Sequence, residues 1–309
     1  MLDTLDYRTA VSQDQFVPVA GANAAEDAYT KAGWGRVLGV SGSINGMPYR
    51  LGGFQVGFDV YRGIAENGVK HIAGVYVGVD RSDSDIDSLN PGGGLAGHAS
   101  MQAYSAGIYW TRYTPHGFYT DAVLQGTRYN DVRAESVNTG NNQLFKSNGS
   151  GFMASLEGGY KFGFNNGWAV TPQAQLIFQH LSLKGGQDDY GSIDYRDINH
   201  GYGRIGAKLS KDWMADQTAY QPRVFTLWVR GNLWQALGTQ GETTFSSLSH
   251  QNPVLLKTNL GETWFDLGIG ISARLAKNVM VFATGDVNIS VDGKNGHERA
   301  GRIGVKIEL

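Results

Sequence analysis

Residues Thr263–Leu275 read TWFDLGIGISARL, and their alternation decides the fold. Phe265, Leu267, Ile269, Ile271, Ala273 and Leu275 fall on one side; Asp266, Gly268, Gly270, Ser272 and Arg274 fall on the other. Successive side chains on a strand point to opposite faces, so this is a strand with one apolar and one polar face. The C-terminal stretch repeats it, with Ile303, Val305, Ile307 and Leu309 against Arg302, Gly304, Lys306 and Glu308. Weaker copies place Leu176 and Phe178 against Gln175 and Gln179, and Phe225, Leu227 and Val229 against Thr226, Trp228 and Arg230.

A soluble β-sandwich alternates too, with its apolar face inward. The connections separate the two. The pattern predicts strands at about 33–40, 52–61, 69–80, 101–112, 117–130, 151–161, 168–184, 198–209, 221–235, 261–275, 278–291 and 300–309. Connections after even strands are short (62–68, 113–116, 162–167, 276–277), with 210–220 the exception. Those after odd strands are long: 41–51, 81–100, 131–150, 185–197, 236–260 and 292–299. Short turns on one side and long loops on the other characterise outer-membrane barrels, the short turns being periplasmic. A sandwich has no reason to sort its connections by parity. The expected fold is therefore all-β, a 12-stranded antiparallel transmembrane β-barrel.

Composition agrees. Charged residues make up 17% of the 309, against ~25% in soluble domains. No apolar run reaches the ~18 residues of a membrane helix, but a spanning strand needs only about 9–11. The net charge of −2 gives no reason to expect nucleic acid, and the absence of cysteine excludes disulfides and thiolate metal sites. Trp110, Tyr113 and Phe118 flank one short turn, and Tyr160, Phe162, Phe164 and Trp168 another. Amphipathic rings gather at membrane interfaces, so these are expected in an aromatic girdle.

With the apolar faces toward lipid, the polar faces must line a lumen. Arg36, Asp59, Asp121, Gln125, Glu157, Arg204, Arg230, Asp266, Arg274 and Asp286 are the expected lining, with Arg302. Both signs are present, which suits a water-filled or peptide-filled interior better than an ion-selective filter. About twelve strands fall between a side-chain-filled eight and an open sixteen. Such a barrel has room for one helix of ~10–12 Å diameter. Residues 1–32 do not alternate. Within them the alanine-rich stretch Ala20–Lys31, with Ala24, Ala25 and Ala28, is the candidate pore helix. The expected organisation is thus a pore-plugging segment at 1–32 and a barrel at 33–309. The start, MLDTLDYRTA, lacks the basic and apolar regions of a signal peptide, so the chain is expected to be part of a longer precursor.

In the order of its strands the chain resembles the autotransporter (type V secretion) β-domain. The resemblance runs from about Tyr7 to Leu309. Gly33-Trp34-Gly35-Arg36-Val37-Leu38-Gly39 is similar to the family's aromatic–x–Arg opening strand. Leu51–Asp59 is similar to its glycine-rich second strand, and Gln173–Leu183 followed by Gly185-Gly186 to its seventh strand and loop. The resemblance implies a domain in the bacterial outer membrane that supports export of its own N-terminal passenger and anchors it, with a linker left as a helix in the pore. It further implies a monomer among outer-membrane lipid and lipopolysaccharide, inserted by the barrel-assembly machinery, which reads the alternating Ile303, Val305, Ile307 and Leu309. The family commonly ends in Phe, so Leu309 is a departure. Some members cut themselves at an Asn-Asn pair in the pore helix. Residues 1–33 hold none, and no such cleavage is expected.

Two other classes remain open on sequence: a passive porin-like channel and a barrel hydrolase. For the latter, Asp83, Asp85, Asp87, Asp188, Asp189, His180 and His200 are the candidates, but general acid–base work needs them within hydrogen-bond reach. No tight Asp–x–His pair occurs. The acidic run Asp80–Asp87 lacks the glycine and distal glutamate of a calcium loop, and Gly92-Gly93-Gly94 lacks the Lys-Ser/Thr of a phosphate loop. The histidines show no metal spacing. No catalytic residue, metal or cofactor is expected.

Overall fold

The computed structural model describes residues 5–9, 31–44, 46–88, 93–137, 144–215, 223–237, 240–259, 263–276, 278–291 and 296–309. Twelve long strands run antiparallel, each paired to its neighbours in sequence: β1 Ala32–Ile44, β2 Met47–Ile64, β3 Lys70–Asp87, β4 Leu95–Tyr113, β5 Phe118–Ser136 and β6 Leu144–Tyr160, then β7 Trp168–Leu183, β8 Ile198–Ala215, β9 Arg223–Leu237, β10 Thr263–Ala276, β11 Val279–Ser290 and β12 His297–Glu308. Pairing of β1 with β12, from Ala32↔Glu308 to Ser43↔His297, closes the ring. Closure matters because an open edge in hydrocarbon leaves a row of unpaired backbone groups.

The two faces separate cleanly. On β10, Leu267 and Ile269 are each 52% exposed while Asp266 is 2% exposed. A dry-core sandwich would show the reverse, so the apolar face of this closed sheet is its outside. Trp110, Phe118, Tyr160, Phe162, Phe164 and Trp168 are exposed near the short turns. Tyr113 is the exception to the girdle expectation. It is buried and packs its ring 6.3 Å from that of Tyr119, because its parity on β4 turns it inward.

The strands are longer than expected. β2 to β5 run 18, 18, 19 and 19 residues, about twice a membrane crossing. Much of 41–51, 81–100 and 131–150, expected as loop, is strand projecting from one end of the barrel. The polar stretch 82–87 lost its apolar signal but kept its ladder pairing, and paired backbone holds a strand in water as well as in lipid. Most of the connection expected at 41–51 is strand, with Ile44 opposite Met47 and Gly46 at φ 81°. In the sequence, Asn-Gly at 45–46 is a short-hairpin signal between two alternating stretches. Two further connections at this end pair with each other: residues 186–187, 192–195, 240–246 and 254–259 form a small four-stranded sheet.

Inside, large rings lie over glycines on the adjacent strand. Trp34 faces Gly57, Tyr109 faces Gly74, Tyr76 faces Gly107, Tyr119 faces Gly159, Trp228 faces Gly270 and Phe282 faces Gly304, each a direct register pair. A Cβ on any of these glycines would sit within 2.5 Å of the ring, so only glycine fits beneath it.

Candidate functional site

The lumen is the site, and its polar residues come from neighbouring strands at matched height. On one wall Thr111, Asp121 and Glu157 stand side by side on β4, β5 and β6. Asp121 accepts a hydrogen bond from the Thr111 hydroxyl at 2.6 Å. Glu157 accepts one from the Tyr119 hydroxyl at 2.6 Å and pairs with Arg204 of β8 at 3.0 Å. Three and four strands further round the ring from Asp121, Lys208 and Arg230 are register partners on β8 and β9 and make a basic wall.

Between the walls lies α1, the short helix Leu5–Thr9. Its two charged side chains reach different strands. Asp6 pairs with Lys208 and, at 3.4 Å, with Arg230. Arg8 pairs with Asp121 on the other wall, with its guanidinium 4.3 Å from the Tyr109 ring centre. The Leu5 amide donates to Glu157 at 3.1 Å, and Leu5 is buried in one cluster with the lumenal rings of Trp34, Tyr76, Tyr109, Tyr113, Tyr119 and Trp234. An acid meets the basic wall and a base meets the acidic wall. Burying either charge without its partner would cost several kcal/mol, roughly 3–5 for a broken buried pair.

The expected lining residues are placed as follows. Asp59 accepts from the Tyr109 hydroxyl at 2.5 Å and pairs with Lys306 at 3.0 Å. Arg36 donates to Gln55 at 2.9 Å. Arg230 also reaches Asp266 at 3.4 Å and Asp286 at 2.8 Å, and Asp286 binds Arg302 at 2.5 Å. Gln125 is half-buried and accepts from the Tyr76 hydroxyl at 2.6 Å. Arg274, also half-buried, lies at the rim near the chain end and pairs with Glu308 at 3.6 Å. Sequence reasoning did not single out Asp6, Arg8, Lys208 or Lys306 among the pairing groups. For Lys208 and Lys306 the alternation that flagged their neighbours was available; for Asp6 and Arg8 no period exists to read.

Of the candidate pore helix, Ala20, Ala24, Ala25 and Ala28 lie outside the described residues. Lys31 is exposed, and its carbonyl accepts the Leu309 amide at 2.7 Å, beside the foot of β1. Ile303, Val305, Ile307 and Leu309 are all exposed on the outer face of β12 or just beyond it.

The groups considered for hydrolysis are dispersed along the projecting end. Asp83 pairs with Arg81, and Asp188 accepts from the Tyr190 and Gly191 amides in a tight turn. His180 bonds Asn199 at 2.9 Å, and His200 stacks on Tyr202 with ring centres 6.0 Å apart. The β3–β4 register brings Asp85 to His98 at 2.7 Å, a pair far apart in sequence. Among the described residues no three His, Asp or Glu side chains gather as a metal site would require.

Comparison with known proteins follows the same lines. The family model for the autotransporter β-domain matches residues 31–286. The pertactin autotransporter of Bordetella bronchiseptica is 27% identical over 238 residues, covering 76% of this chain and 24% of the relative. The adhesin BmaC autotransporter of Brucella suis is 30% identical over 167 residues, covering 53% of this chain and 5% of the relative. The chain thus spans a small part of the length of these relatives. Among solved structures, the β-domain of the Bordetella autotransporter Brka superposes with a TM-score of 0.72 at 19% identity, covering 91% of this chain and all of that one. The transport unit of AIDA-I from Escherichia coli gives 0.71 at 15% identity, covering 98% and 95%.

Proposed function

The chain belongs to the autotransporter β-domain family, and we propose that it is the outer-membrane translocator for a passenger joined to its N-terminus, which it helps to export and then anchors. The observation that carries this reading is α1 between the charged walls. A short peptide segment occupies the lumen through pairs of both signs, as a channel that has conducted a polypeptide would retain its last stretch. An open porin has no use for Leu5 buried in an aromatic cluster or for Asp6 and Arg8 paired with separate strands of the lining. In this reading residues 1–32 link passenger to barrel and 33–309 form the pore. The mixed-charge lining offers no continuous surface of one sign to trap a passing chain. Ile303, Val305, Ile307 and Leu309 present the alternating strand that the barrel-assembly machinery would engage, and the barrel works as a monomer without enzymatic chemistry.

A reporter with a signal peptide, fused ahead of Met1 and expressed in a Gram-negative host, tests this. The reporter is expected at the cell surface, where added protease removes it. Exchanging the α1 charges (Asp6→Arg with Arg8→Asp) sets like charges against both walls and should reduce the surface fraction severalfold. A reporter that stays periplasmic above a correctly folded native barrel would refute the reading.

A further inference from the structure

The outer surface carries a basic cluster that the translocation pathway does not use. Arg50 on β2, Ser41 on β1 and Arg299 on β12 are register partners in one row, all facing outward. Adjacent strands lie about 4.8 Å apart, so the two arginines arise about 10 Å from each other across the closing seam. Neither has an ion pair or hydrogen bond among the described residues. Arg81 joins them one row lower, beside Gly52, and holds Asp83 at 3.0 Å, the carboxylate that stands next to Arg50 at the end of the upper row and leaves the cluster with a net positive charge. The three arginines and Asp83 rim a groove of about 590 Å³ whose floor is Gly39, Gly52 and Gly301. At Gly39 and Gly52 an added Cβ would meet nothing within 4 Å, so the floor is open space.

Height fixes what can fill it. The next outward row below the glycines is Ile303, Val37, Phe54 and Val79, all exposed and apolar. The arginines therefore stand directly above the lipid-facing belt, close to the Ile44–Met47 end of the β1–β2 pair and on the side of the long connections. That is the level of headgroups in the outer leaflet. Guanidinium groups at the edge of hydrocarbon need an anion, and Arg matches phosphate oxygens two at a time.

We propose that Arg50, Arg299 and Arg81 bind a phosphate of an outer-leaflet phosphoglycolipid of the lipid A type, one of whose acyl chains lies on the glycine floor. The site rests on the outer-membrane placement above, and its occupant is a lipid rather than the passenger. Arg50 and Arg299, on either side of Ser41 and without an ion pair among the described residues, suit a compact dianionic phosphate, and the missing side chains give a straight hydrocarbon chain a smooth track beneath it.

The test uses the full chain folded in detergent micelles, with bisphosphorylated lipid A, dephosphorylated lipid A and phosphatidylglycerol as probes, retained lipid being read by native mass spectrometry. Wild type should hold bisphosphorylated lipid A over both other probes. Arg50→Ala with Arg299→Ala should weaken that binding by about tenfold or more, as loss of charge-assisted contacts implies. Arg50→Lys with Arg299→Lys should recover part of it. Gly39→Leu, whose Cβ would meet nothing within 4 Å, places a side chain on the floor and should weaken it with the arginines intact. Arg128→Ala removes an equally exposed arginine on β5 and should change nothing. Equal retention of dephosphorylated lipid A, equal retention of phosphatidylglycerol, or an equal loss with Arg128→Ala would each overturn the proposal. Heat-dependent gel mobility is read in parallel. A wild type without a heat-sensitive folded form would speak against the barrel itself, whereas a folded wild type that ignores the phosphate speaks against the site alone.

Discussion

Arg230 is fully buried and holds Asp6, Asp266 and Asp286 at 3.4, 3.4 and 2.8 Å, so one guanidinium serves three carboxylates on three elements. Arg230→Ala leaves Asp266 short of a cation, while Asp286 keeps Arg302 and Asp6 keeps Lys208. The expected loss is on the order of 3 kcal/mol, the low end for a broken buried pair, read as a lowered midpoint of the heat-dependent shift in gel mobility. The glycines under rings allow a sharper contrast. A valine at Gly270 must displace Trp228, whose ring lies 2.3 Å from the added Cβ, whereas one at Gly39 enters open space. Gly270→Val should cost about 1–3 kcal/mol, and Gly39→Val should stay within about 0.5 kcal/mol. Equal effects would mean that the ring–glycine contact is not what holds those strands together. Most polar lining residues were legible because they interrupt an alternating apolar row, as Asp266 does between Phe265 and Leu267. Asp6 and Arg8 were not. A charged pair on a single helical turn has no period, and its meaning depends on walls more than a hundred residues away in sequence.

The barrel strands were legible in number and order, and less so in length. Inside the membrane the outward residue must be apolar, so alternation writes itself into the sequence. Above the membrane it need only be soluble, and SDSDID at 82–87 continues a strand with Ile86 as its one apolar residue and no alternation. The same holds for the small sheet at the projecting end, built from two connections that look like loops. There Glu242 accepts hydrogen bonds from Arg196 and Lys257, which together hold its carboxyl below the ordinary glutamate range. A carboxyl lowered in the folded state contributes stability at pH values above its unfolded value of 4.5, and that contribution fades as pH falls through the lowered one. Amide exchange at 192–195 and 240–246 should therefore accelerate, relative to the barrel strands, only once the pH drops below the usual glutamate titration. In Glu242→Gln the acid-dependent step should be absent. A step of equal size in that variant would assign the pH response to other groups.

At the scale of the whole molecule, a closed ring resolves two demands at once. Every backbone group of the spanning segments finds a partner around the circle, and each strand can present hydrocarbon to one side and charge to the other. The ring is wide enough that its charged interior takes in a peptide turn, and narrow enough that one turn touches both walls. The absence of cysteine makes the inside–outside assignment directly measurable, because any introduced thiol is unique. Single cysteines at Leu267 and Ile303 on the outer face, and at Ser155 and Thr284 on the inner one, would be probed in native outer membranes. Reagents would be a membrane-soluble maleimide and a charged, water-soluble one. The account predicts that thiols at 267 and 303 react only with the membrane-soluble reagent, and those at 155 and 284 only with the water-soluble one once residues 1–31 are removed. The opposite pattern, or a protein that keeps this fold in water without detergent and shields 267 and 303 in a dry interior, would contradict it.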